Sequence, residues 1–300
     1  MIKIVTDSVA SIPPSMAKCY DIDVVSLYVN RDGVEYEDAT MDHEAFYSEI
    51  HEMADNIPTS SQPSQAAFEG LFERAAEAGD EVLGVFISSD MSGTYEGALR
   101  AARAVKARNI DFTYVMIDST SNSFDEGWPV IDAAEARNSG SDLAECAAIV
   151  LEAIERCRFL FVPESLTFLQ KGGRIGGAAA LLGNLIKLVP VLSVADGQAD
   201  TVAKVRSSKK AIERMTELFK ADVREYGLAH AMVHYIGDPT PARRWAREVI
   251  EPLVGHAVDV LPVSPVIGLH VGPAVGIAYE TLKAMPYKLS QPASLRMVAS

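Results

Sequence analysis

The stretch VLGVFISSDMSGT, residues 82–94, is an apolar run that passes directly into hydroxyl and carboxyl side chains. Its first six residues are nonpolar in succession rather than in alternation, a pattern typical of a strand that is covered on both faces. A helical pattern follows over residues 95–107. A strand, a polar turn and a helix in this order indicate a βαβ unit and therefore a parallel sheet.

The rest of the first half repeats this alternation. Further strands are predicted at residues 2–5, 24–29 and 112–117, and further helices at residues 43–53, 66–78 and 131–138. In the helix at 66–78, Phe68 and Phe72 fall on one stripe, as expected for a helix that packs on a sheet. We therefore predict an α/β fold whose N-terminal part is a mainly parallel sheet with flanking helices.

The second half has a different order of predicted strands and helices, which indicates a C-terminal α+β domain with a partly antiparallel sheet. Asp196-Gly197 lies between two apolar runs and is a strong signal for a β-hairpin. The predicted strands are 159–162, 191–194, 199–205, 229–236 and 258–262, and the predicted helices are 209–226 and 241–253. We place the boundary after residue 158, which gives domains 1–158 and 159–300.

Charge and composition exclude several classes of partner. The chain of 300 residues is 48% apolar, and its 41 acidic and 27 basic residues give a net charge of −14. A surface this acidic repels nucleic acid and anionic lipid headgroups, so neither a nucleic acid partner nor stable membrane insertion is expected. The most apolar stretch, 178–194, is interrupted by Asn184, Lys187 and Pro190 and is not a membrane span.

The cysteines and the N-terminus predict a cytoplasmic protein. The three cysteines form no CxxC pair, which fits a reducing compartment and disfavours both a disulfide framework and a zinc site. The N-terminal segment reaches the acidic Asp7 after only four apolar residues, so no signal peptide is expected. We expect neither a metal nor a cofactor.

Hydroxyl side chains collect where three predicted strands end. These clusters lie at residues 6–8, 88–94 and 118–123, and a fourth occupies residues 59–64. Ligands of open parallel sheets bind outside the carboxyl ends of the strands, and hydroxyls with free helix N–H groups suit an anionic head group. Serine, threonine and aspartate are also the usual helix caps, so capping remains the alternative for each cluster.

Motifs of self-sufficient enzymes are scarce. The chain has no GxSxG motif, and the glycine-rich run at residues 172–177 is not followed by the Lys-Ser or Lys-Thr of a phosphate-binding loop. The sequence places no base beside a serine, which weighs against nucleophilic catalysis. The alternative hypothesis is a stand-alone serine-dependent acyl or phosphoryl transferase or hydrolase, with Ser92 as nucleophile. His230 and His234 share one face of a predicted strand, where packing is favoured over metal binding.

Six segments, taken together, resemble the DegV family of bacterial fatty-acid-binding proteins. They follow the family's order and span nearly the whole chain, at residues 4–8, 60–64, 88–95, 117–119, 172–175 and 270–273. The resemblance implies two domains with a long-chain fatty acid buried between or beneath them. It also implies that the protein is a lipid-binding component rather than an enzyme, and that a separate fatty acid kinase phosphorylates the bound carboxylate.

The resemblance also assigns residues. The family's carboxylate-binding hydroxyls fall on Ser60 and Ser92. Candidates of lower weight for the head group or the pocket are Thr59, Ser61, Gly93, Thr94, Ser123 and His270. Arg174 and Arg206 are candidates for the head group or for kinase docking. The alternative for Arg174 is a solvated charge or a salt bridge at the domain interface, and the alternative for His270 is a packed, hydrogen-bonded histidine.

The chain departs from the family pattern at two places. Phe124-Asp125-Glu126 stands where glycines usually follow the serine, and Ala274 replaces the second glycine of a Gly-Pro-Gly motif. These departures leave the predicted fold intact, but they put the shape of the pocket and its acyl chain preference in doubt. The apolar residues 176–188 are a candidate for part of the tail channel, with a core helix as the alternative.

Overall fold

The computed structural model of the chain describes residues 1–181, 188–286 and 296–300. Its strands form three sheets. The strands are β1 (Ile2–Asp7), β2 (Ile22–Val25), β3 (Tyr28–Arg31), β4 (Val34–Glu37), β5 (Thr59–Ser61), β6 (Glu81–Phe86), β7 (Tyr114–Asp118), β8 (Cys157–Pro163), β9 (Val189–Ala195), β10 (Gln198–Val205), β11 (His230–Ile236), β12 (Val260–Pro262), β13 (Ala274–Glu280) and β14 (Met297–Ala299).

The α-helices are α1 (Pro14–Cys19), α2 (His43–Ser48), α3 (Gln65–Ala78), α4 (Thr94–Arg108), α5 (Phe124–Asn138), α6 (Leu143–Arg156), α7 (Thr167–Lys171), α8 (Ser208–Tyr226), α9 (Pro239–Trp245), α10 (Glu251–Val254) and α11 (Pro265–Val271). Short 3-10 turns lie at Ser8–Ala10, Asp38–Thr40, Glu52–Ala54 and Gly176–Leu181, and a π-helical turn at Ala246–Ile250 joins α9 to α10.

The first sheet has the strand order β14-β7-β6-β1-β2, in which β2, β1, β6 and β7 run parallel. Helices α3 and α4 cover one face, where Phe68, Phe72 and Phe86 are fully buried. Burying each such side chain contributes about 1.5–3 kcal/mol. Helices α5 and α6 contribute to the core on the other face. The predicted mainly parallel sheet with flanking helices is confirmed.

The second sheet has the order β10-β9-β8-β13-β11-β12, and every neighbouring pair is antiparallel except β11 and β12. Its side chains alternate between two cores because successive residues of a strand point to opposite faces. Phe159 and Phe161 of β8 join the core that faces the first sheet, whereas Leu160 and Val162 face α8 and α9. Both faces are therefore apolar, and the predicted α+β part is confirmed.

The predicted strand over residues 24–29 is two strands in the structure. β2 ends at Val25 and belongs to the first sheet, whereas β3 begins at Tyr28 and pairs with β4 and β5 in a small antiparallel sheet. Leu27 between them is buried, so the apolar run is continuous although the strand is not. The predicted helix over residues 43–53 likewise divides into α2 and a 3-10 turn.

The β9–β10 hairpin forms around Asp196-Gly197, as predicted. Both residues have positive φ, 47° and 80°, which the tight two-residue turn requires. The tip of this hairpin touches the loop after β6, where the Ser88 hydroxyl donates to the Gly197 carbonyl at 2.8 Å. The second sheet is thereby fixed against the loop that carries Ser92.

The predicted boundary between domains 1–158 and 159–300 stays a prediction. Residue 158 is the second residue of β8, which pairs within the second sheet. The last strand, β14, pairs with β7 of the first sheet, so both ends of the described chain lie in that sheet. Within residues 1–181, 188–286 and 296–300, no helix combines the length and the apolar character that a membrane crossing requires.

Gly276→Ala should destabilise the fold by about 1–3 kcal/mol, because overpacking forces neighbouring atoms to move. A Cβ at Gly276 would lie 2.8 Å from the Leu160 carbonyl oxygen and 2.8 Å from Phe159. Chemical denaturation measures the free energy of unfolding. The control is Gly70→Ala within α3, where the nearest atom lies at 3.7 Å; this change should stabilise the chain by about 0.5–1 kcal/mol. Equal effects of the two substitutions would contradict the packing argument.

Candidate functional site

A cavity lies between the two large sheets and encloses about 610 Å³ of empty space, part of which is open to solvent. Twelve lining residues are apolar: Val9, Leu27, Ile87, Met91, Phe159, Phe161, Leu169, Val194, Ala199, Val266, Ile267 and Val271. The other five, which are polar, are Ser60, Ser92, Asn122, Arg174 and His270. We call this space the main cavity.

The polar lining residues are linked through short contacts. The Ser60 hydroxyl and His270 Nε2 are 2.9 Å apart, and Arg174 Nε donates to the Met91 carbonyl, next to Ser92, at 3.1 Å. Asn122 Nδ2 lies 3.2 Å from Met91 Sδ. Because Arg174 is exposed to solvent, this polar group marks the mouth of the main cavity.

Ser60 faces the main cavity because of strand alternation in β5. Its neighbours Thr59 and Ser61 point to the other side, where Ser61 Oγ accepts from Asn30 Nδ2 at 3.3 Å. If the neutral His270 ring donates from Nε2 to Ser60 Oγ, the Ser60 hydroxyl proton is left to donate elsewhere. Ser60 is thus arranged to donate one hydrogen bond into the cavity.

Ser92 has a similar arrangement. Its Oγ lies 2.8 Å from Thr94 Oγ1 and accepts from the Thr94 backbone N–H at 3.3 Å. With Thr94 as the donor, the Ser92 hydroxyl proton is free for a ligand in the cavity. Helix α4 begins at Thr94, and its N-cap Gly93 makes no side-chain capping bond. The positive end of the α4 dipole therefore favours an anion beside Ser92.

Two glycines permit the close approach of segments at the mouth. A Cβ at Gly93 would lie 2.3 Å from Gln62 Oε1, and a Cβ at Gly172 would lie 2.4 Å from His270 Nδ1. Real Cβ atoms do not come this near to another heavy atom. Glycine at these two positions therefore lets the β5–α3 loop reach α4, and lets the α7 end pack against His270.

Helix α11 carries His270 to the mouth, and its first turn is anchored by Asp38. The carboxylate of Asp38 accepts from the Val266 N–H at 2.9 Å and from the Ser264 hydroxyl at 3.1 Å. Asp38 is 1% exposed, and burial raises its pKa while these hydrogen bonds act in the opposite direction. A carboxylate at this end of a helix also interacts favourably with the helix dipole.

Tyr47 of α2 holds the same turn from a second side. Its hydroxyl lies 2.8 Å from the Val263 carbonyl oxygen and 2.9 Å from that of Ser264. A Cβ at Gly268 would lie 2.4 Å from the Tyr47 ring, so glycine is needed there for the ring and the helix to touch. The position of α11 is therefore set by residues of the N-terminal half.

His270 is neutral at neutral pH. Burial, and then the positive charge of Arg174, lower its pKa from 6.5 to about 4. Arg174 is the one cationic side chain among the described residues that line the main cavity. The mouth therefore offers one positive charge, at the solvent edge, and neutral hydrogen-bonding groups behind it.

The cluster at the end of β1 is structural. Asp7 accepts from the backbone N–H groups of Val9 and Ile87, both at 2.9 Å, and Ser8 Oγ accepts from Leu27 N–H. Burial raises the pKa of Asp7 to about 7. The capping alternative therefore holds for residues 6–8, whereas Ser92 of the second cluster reaches the main cavity.

Six of the predicted site residues do not line the main cavity. They are Thr59, Ser61, Gly93, Thr94, Ser123 and Arg206. Thr94 Oγ1 contacts the Ser92 hydroxyl, and the absence of a side chain at Gly93 leaves room for the Gln62 side chain. Ser123 is fully buried, with a positive φ of 57° at the start of α5. Arg206 is exposed in the turn between β10 and α8.

The two departures from the family pattern have different surroundings. Phe124, Asp125 and Glu126 are buried in the first turn of α5 and do not line the main cavity, and Glu126 accepts from the Thr6 hydroxyl at 3.2 Å. Burial, with nearby Asp7, raises the pKa of Glu126 well above its usual value. Ala274 instead lines a second cavity behind the first.

This second space, the deep cavity, is much smaller than the main cavity. It shares Phe159, Phe161, Ile267 and Val271 with the main cavity, so the two adjoin. Its remaining lining residues are His234, Tyr235, Ile236, Val263, Ala274 and Gly276. Within the candidate tail channel at 176–188, residues 182–187 lie outside the described residues, and none of Gly176–Leu181 lines either cavity.

Sequence reasoning missed Asn122. It stands within the polar run at 118–123, but nothing in the sequence distinguishes it from its neighbours there. The packing predicted for His234 agrees with the structure, since its ring is buried between Phe124 and Phe159.

One group of potential metal ligands occurs among the described residues. Asp132, His230 and Glu280 each offer an atom within 4.8 Å of the others. Arg156 binds the carboxylates of Asp132 and Glu280 at 2.9 and 2.8 Å, and the His230 ring stacks on Trp128. Arg156 therefore neutralises this pair, and the group lies outside both cavities.

One family model matches nearly the whole chain. It is described as "Uncharacterised protein, DegV family", and it matches residues 1–282. The chain belongs to the DegV family. The resemblance of the six sequence segments is thereby confirmed.

Sequence relatives cover this DegV protein from end to end. A DegV domain-containing protein of Clostridium acetobutylicum is 39% identical over 290 residues, which are 95% of this chain and 99% of the relative. Another from Clostridium perfringens is 38% identical over 279 residues, which are 93% of this chain and 98% of the relative.

Two solved DegV structures share the fold. A DegV family protein from Thermus thermophilus, described by its fatty acid binding, is 32% identical with a TM-score of 0.83, over 94% of this chain and 99% of that one. DegV of Bacillus subtilis, described as a fatty acid binding protein, is 28% identical with a TM-score of 0.82, over 93% and 99% of the two chains. Members of the family thus bind fatty acids.

An NMR titration of His270 should give a pKa of about 4, because burial and Arg174 both disfavour its charged form. Arg174→Gln should raise this pKa, because it removes a nearby positive charge, whereas Arg206→Gln should leave it unchanged. Since an unfolded histidine titrates near about 6.5, the folded state loses stability as the pH falls from about 6.5 to about 4, by up to about 3 kcal/mol.

His270→Gln should therefore flatten the dependence of unfolding free energy on pH in that window. If His270 in the folded wild-type chain titrated near the usual pKa of a histidine, the conclusion that its ring is desolvated would be contradicted.

Proposed function

We propose that this DegV protein binds one long-chain fatty acid, with the carboxylate at Ser60 and Ser92 and the acyl tail in the main cavity. The observation that carries the proposal is the composition of that cavity, in which five polar residues at the mouth open onto twelve apolar ones. An amphipathic ligand with one small polar end matches this division. The fatty acids bound by the Thermus thermophilus and Bacillus subtilis relatives support the same ligand class.

Tail burial would supply most of the affinity. A long-chain fatty acid has on the order of a dozen methylene groups, each worth about 0.8 kcal/mol when buried, so the tail contributes roughly 10 kcal/mol before the costs of ordering. Each hydrogen bond to the charged head contributes about 1.5–3 kcal/mol. The hydroxyls would then mainly fix the position of the head group.

The hydrogen bonds at the mouth suit a carboxylate. When His270 Nε2 donates to Ser60 and Thr94 Oγ1 donates to Ser92, each serine keeps a proton to donate to the carboxylate. Arg174 adds a positive charge at the edge, and the start of α4 adds a favourable dipole. The carboxylate would thus be held by neutral donors while one side of it faces the opening.

We further propose that a separate fatty acid kinase phosphorylates the bound carboxylate in the cytoplasm, with no cofactor held by this chain. The exposure of Arg174 beside the mouth supports this, because a phosphorylated head group would gain negative charge there. Arg206 lies outside the cavity, and its exposure is consistent with a role in kinase docking.

A stand-alone enzyme is the competing proposal, and one contact favours it. Ser60 and His270 are within hydrogen-bond distance, as a nucleophile and a base would be. However, no partner orients His270 Nδ1 among the described residues, and a pKa of about 4 makes the ring a weak base at neutral pH. Ser92, the nucleophile that the sequence suggested, contacts Thr94 rather than a base. Binding is the better supported function.

Mass spectrometry of an organic extract of the purified protein should find a stoichiometric fatty acid. Ala199→Phe should reduce it several-fold, because a large side chain would enter the main cavity from β10. The matched control is Ile110→Phe, at a position that is 77% exposed, and it should retain the lipid. No lipid in the wild-type extract, and no uptake of added fatty acid, would refute the proposal.

Ser60→Ala and Ser92→Ala should each lower phosphorylation of the bound fatty acid by a purified fatty acid kinase roughly tenfold or more, with smaller losses of bound lipid. The control is Ser61→Ala, which removes a hydroxyl from the opposite face of β5 and should change neither quantity. Equal losses of lipid and phosphorylation in the Ser92 variant would contradict the division of roles between tail and head.

A further inference from the structure

His234 is a polar side chain in the wall of the otherwise apolar deep cavity. It is 1% exposed and lies on β11, on the face directed toward the first sheet. Its ring is flanked by Phe124 and Phe159, each with a ring centroid 5.7 Å away. A histidine in such surroundings needs a hydrogen-bond partner for each polar atom, or it reduces the stability of the fold.

One nitrogen of His234 has its partner and the other does not. Nδ1 lies 3.1 Å from the Leu261 carbonyl oxygen, and since a carbonyl only accepts, Nδ1 must carry the hydrogen. Burial lowers the pKa of His234 to about 4, so the ring is neutral and Nε2 has a bare lone pair. Nε2 has no hydrogen-bond partner among residues 1–181, 188–286 and 296–300.

The strand register places His234 in a row with Phe161 and Gly276. These residues stand directly opposite one another on β11, β8 and β13. All three line the deep cavity, and glycine at position 276 makes room for Phe159, because a Cβ there would lie 2.8 Å from its ring. Phe161 also lines the main cavity, so the deep cavity continues the path of an acyl tail.

Resting on the proposed function, we infer that the deep cavity takes an acyl chain that carries a hydroxyl group, and that His234 Nε2 accepts the hydrogen bond of that hydroxyl. The ligand class is a long-chain hydroxy fatty acid. A hydroxyl fits because it is the small neutral group that supplies the donor a bare Nε2 requires. A plain hydrocarbon tail would leave Nε2 unpaired.

Solvent is a weaker partner for Nε2. A buried water molecule typically needs two to four polar partners. Apart from His234, the lining side chains of the deep cavity are apolar except for Tyr235, which belongs to the core on the opposite face of the sheet. A water molecule there would have one side-chain partner. A hydroxyl on the acyl chain is instead carried into the cavity by burial of the tail.

The hydroxyl would lie along the chain rather than near the carboxylate. Val263, just before α11, lines the deep cavity, whereas His270 near the end of α11 lines the mouth. Within α11, the five steps from Pro265 to His270 span about 8 Å along the helix axis, and Val263 lies before the helix begins. The tail would therefore run along α11 before its hydroxyl meets His234.

The test uses calorimetry on delipidated protein. It compares the binding of stearic acid with that of hydroxystearic acids that differ in the position of the hydroxyl. At least one hydroxy isomer should bind the wild-type chain as tightly as stearic acid or more tightly. His234→Asn keeps an amide N–H for the Leu261 carbonyl, but its shorter side chain places no acceptor at the position of Nε2. It should weaken that isomer about tenfold while changing stearic acid little.

His234→Gln places an amide oxygen near the former Nε2 and should restore part of the preference for the hydroxy isomer. Phe161→Leu, which removes apolar volume from the same row, is the control and should weaken both ligands alike. Thermal melting of each variant establishes that it is folded.

Equal losses of both ligands in His234→Asn would overturn the inference, and so would stearic acid binding without appreciable binding of any hydroxy isomer. In both cases the proposed fatty acid function would stand. Failure of every fatty acid to bind the wild-type chain would instead remove the proposed function, and the inference with it.

Discussion

The cavity depends on the hydrogen bonds between Asp38 and the first turn of α11. This helix supplies His270 to the mouth and Ile267 and Val271 to the boundary between the two cavities. Asp38 comes from the N-terminal half and lies 228 residues from Val266, which donates to it. A single buried carboxylate therefore positions polar and apolar groups of the site together, and its loss would leave the Val266 N–H and the Ser264 hydroxyl without their acceptor in the core.

The sheets could be predicted because their apolar runs are local properties of the chain. Residues 82–87, for example, are nonpolar in succession, and a buried parallel strand requires this. The division of residues 24–29 between two sheets could not be predicted, since an apolar run does not reveal which neighbours a strand will pair with. Leu27 is buried in either arrangement.

Within the site, Ser60 and Ser92 were assigned by resemblance, and their surroundings came from tertiary structure. Thr59, Ser60 and Ser61 are alike as sequence, and only the direction of β5 separates the one that faces the cavity. The contact between Ser60 and His270 joins residues 210 positions apart, which no local pattern indicates. The same holds for the bond that Asp7 accepts from the Ile87 N–H, just after β6, whereas its capping bond from Val9 is local.

The pairing of β14 with β7 has a mechanical consequence. Because the first and last strands of the described chain lie in the same sheet, a force applied at the two termini would act on that sheet before it reached the second one. The second sheet would behave as an insertion that is joined to the first sheet at both of its ends.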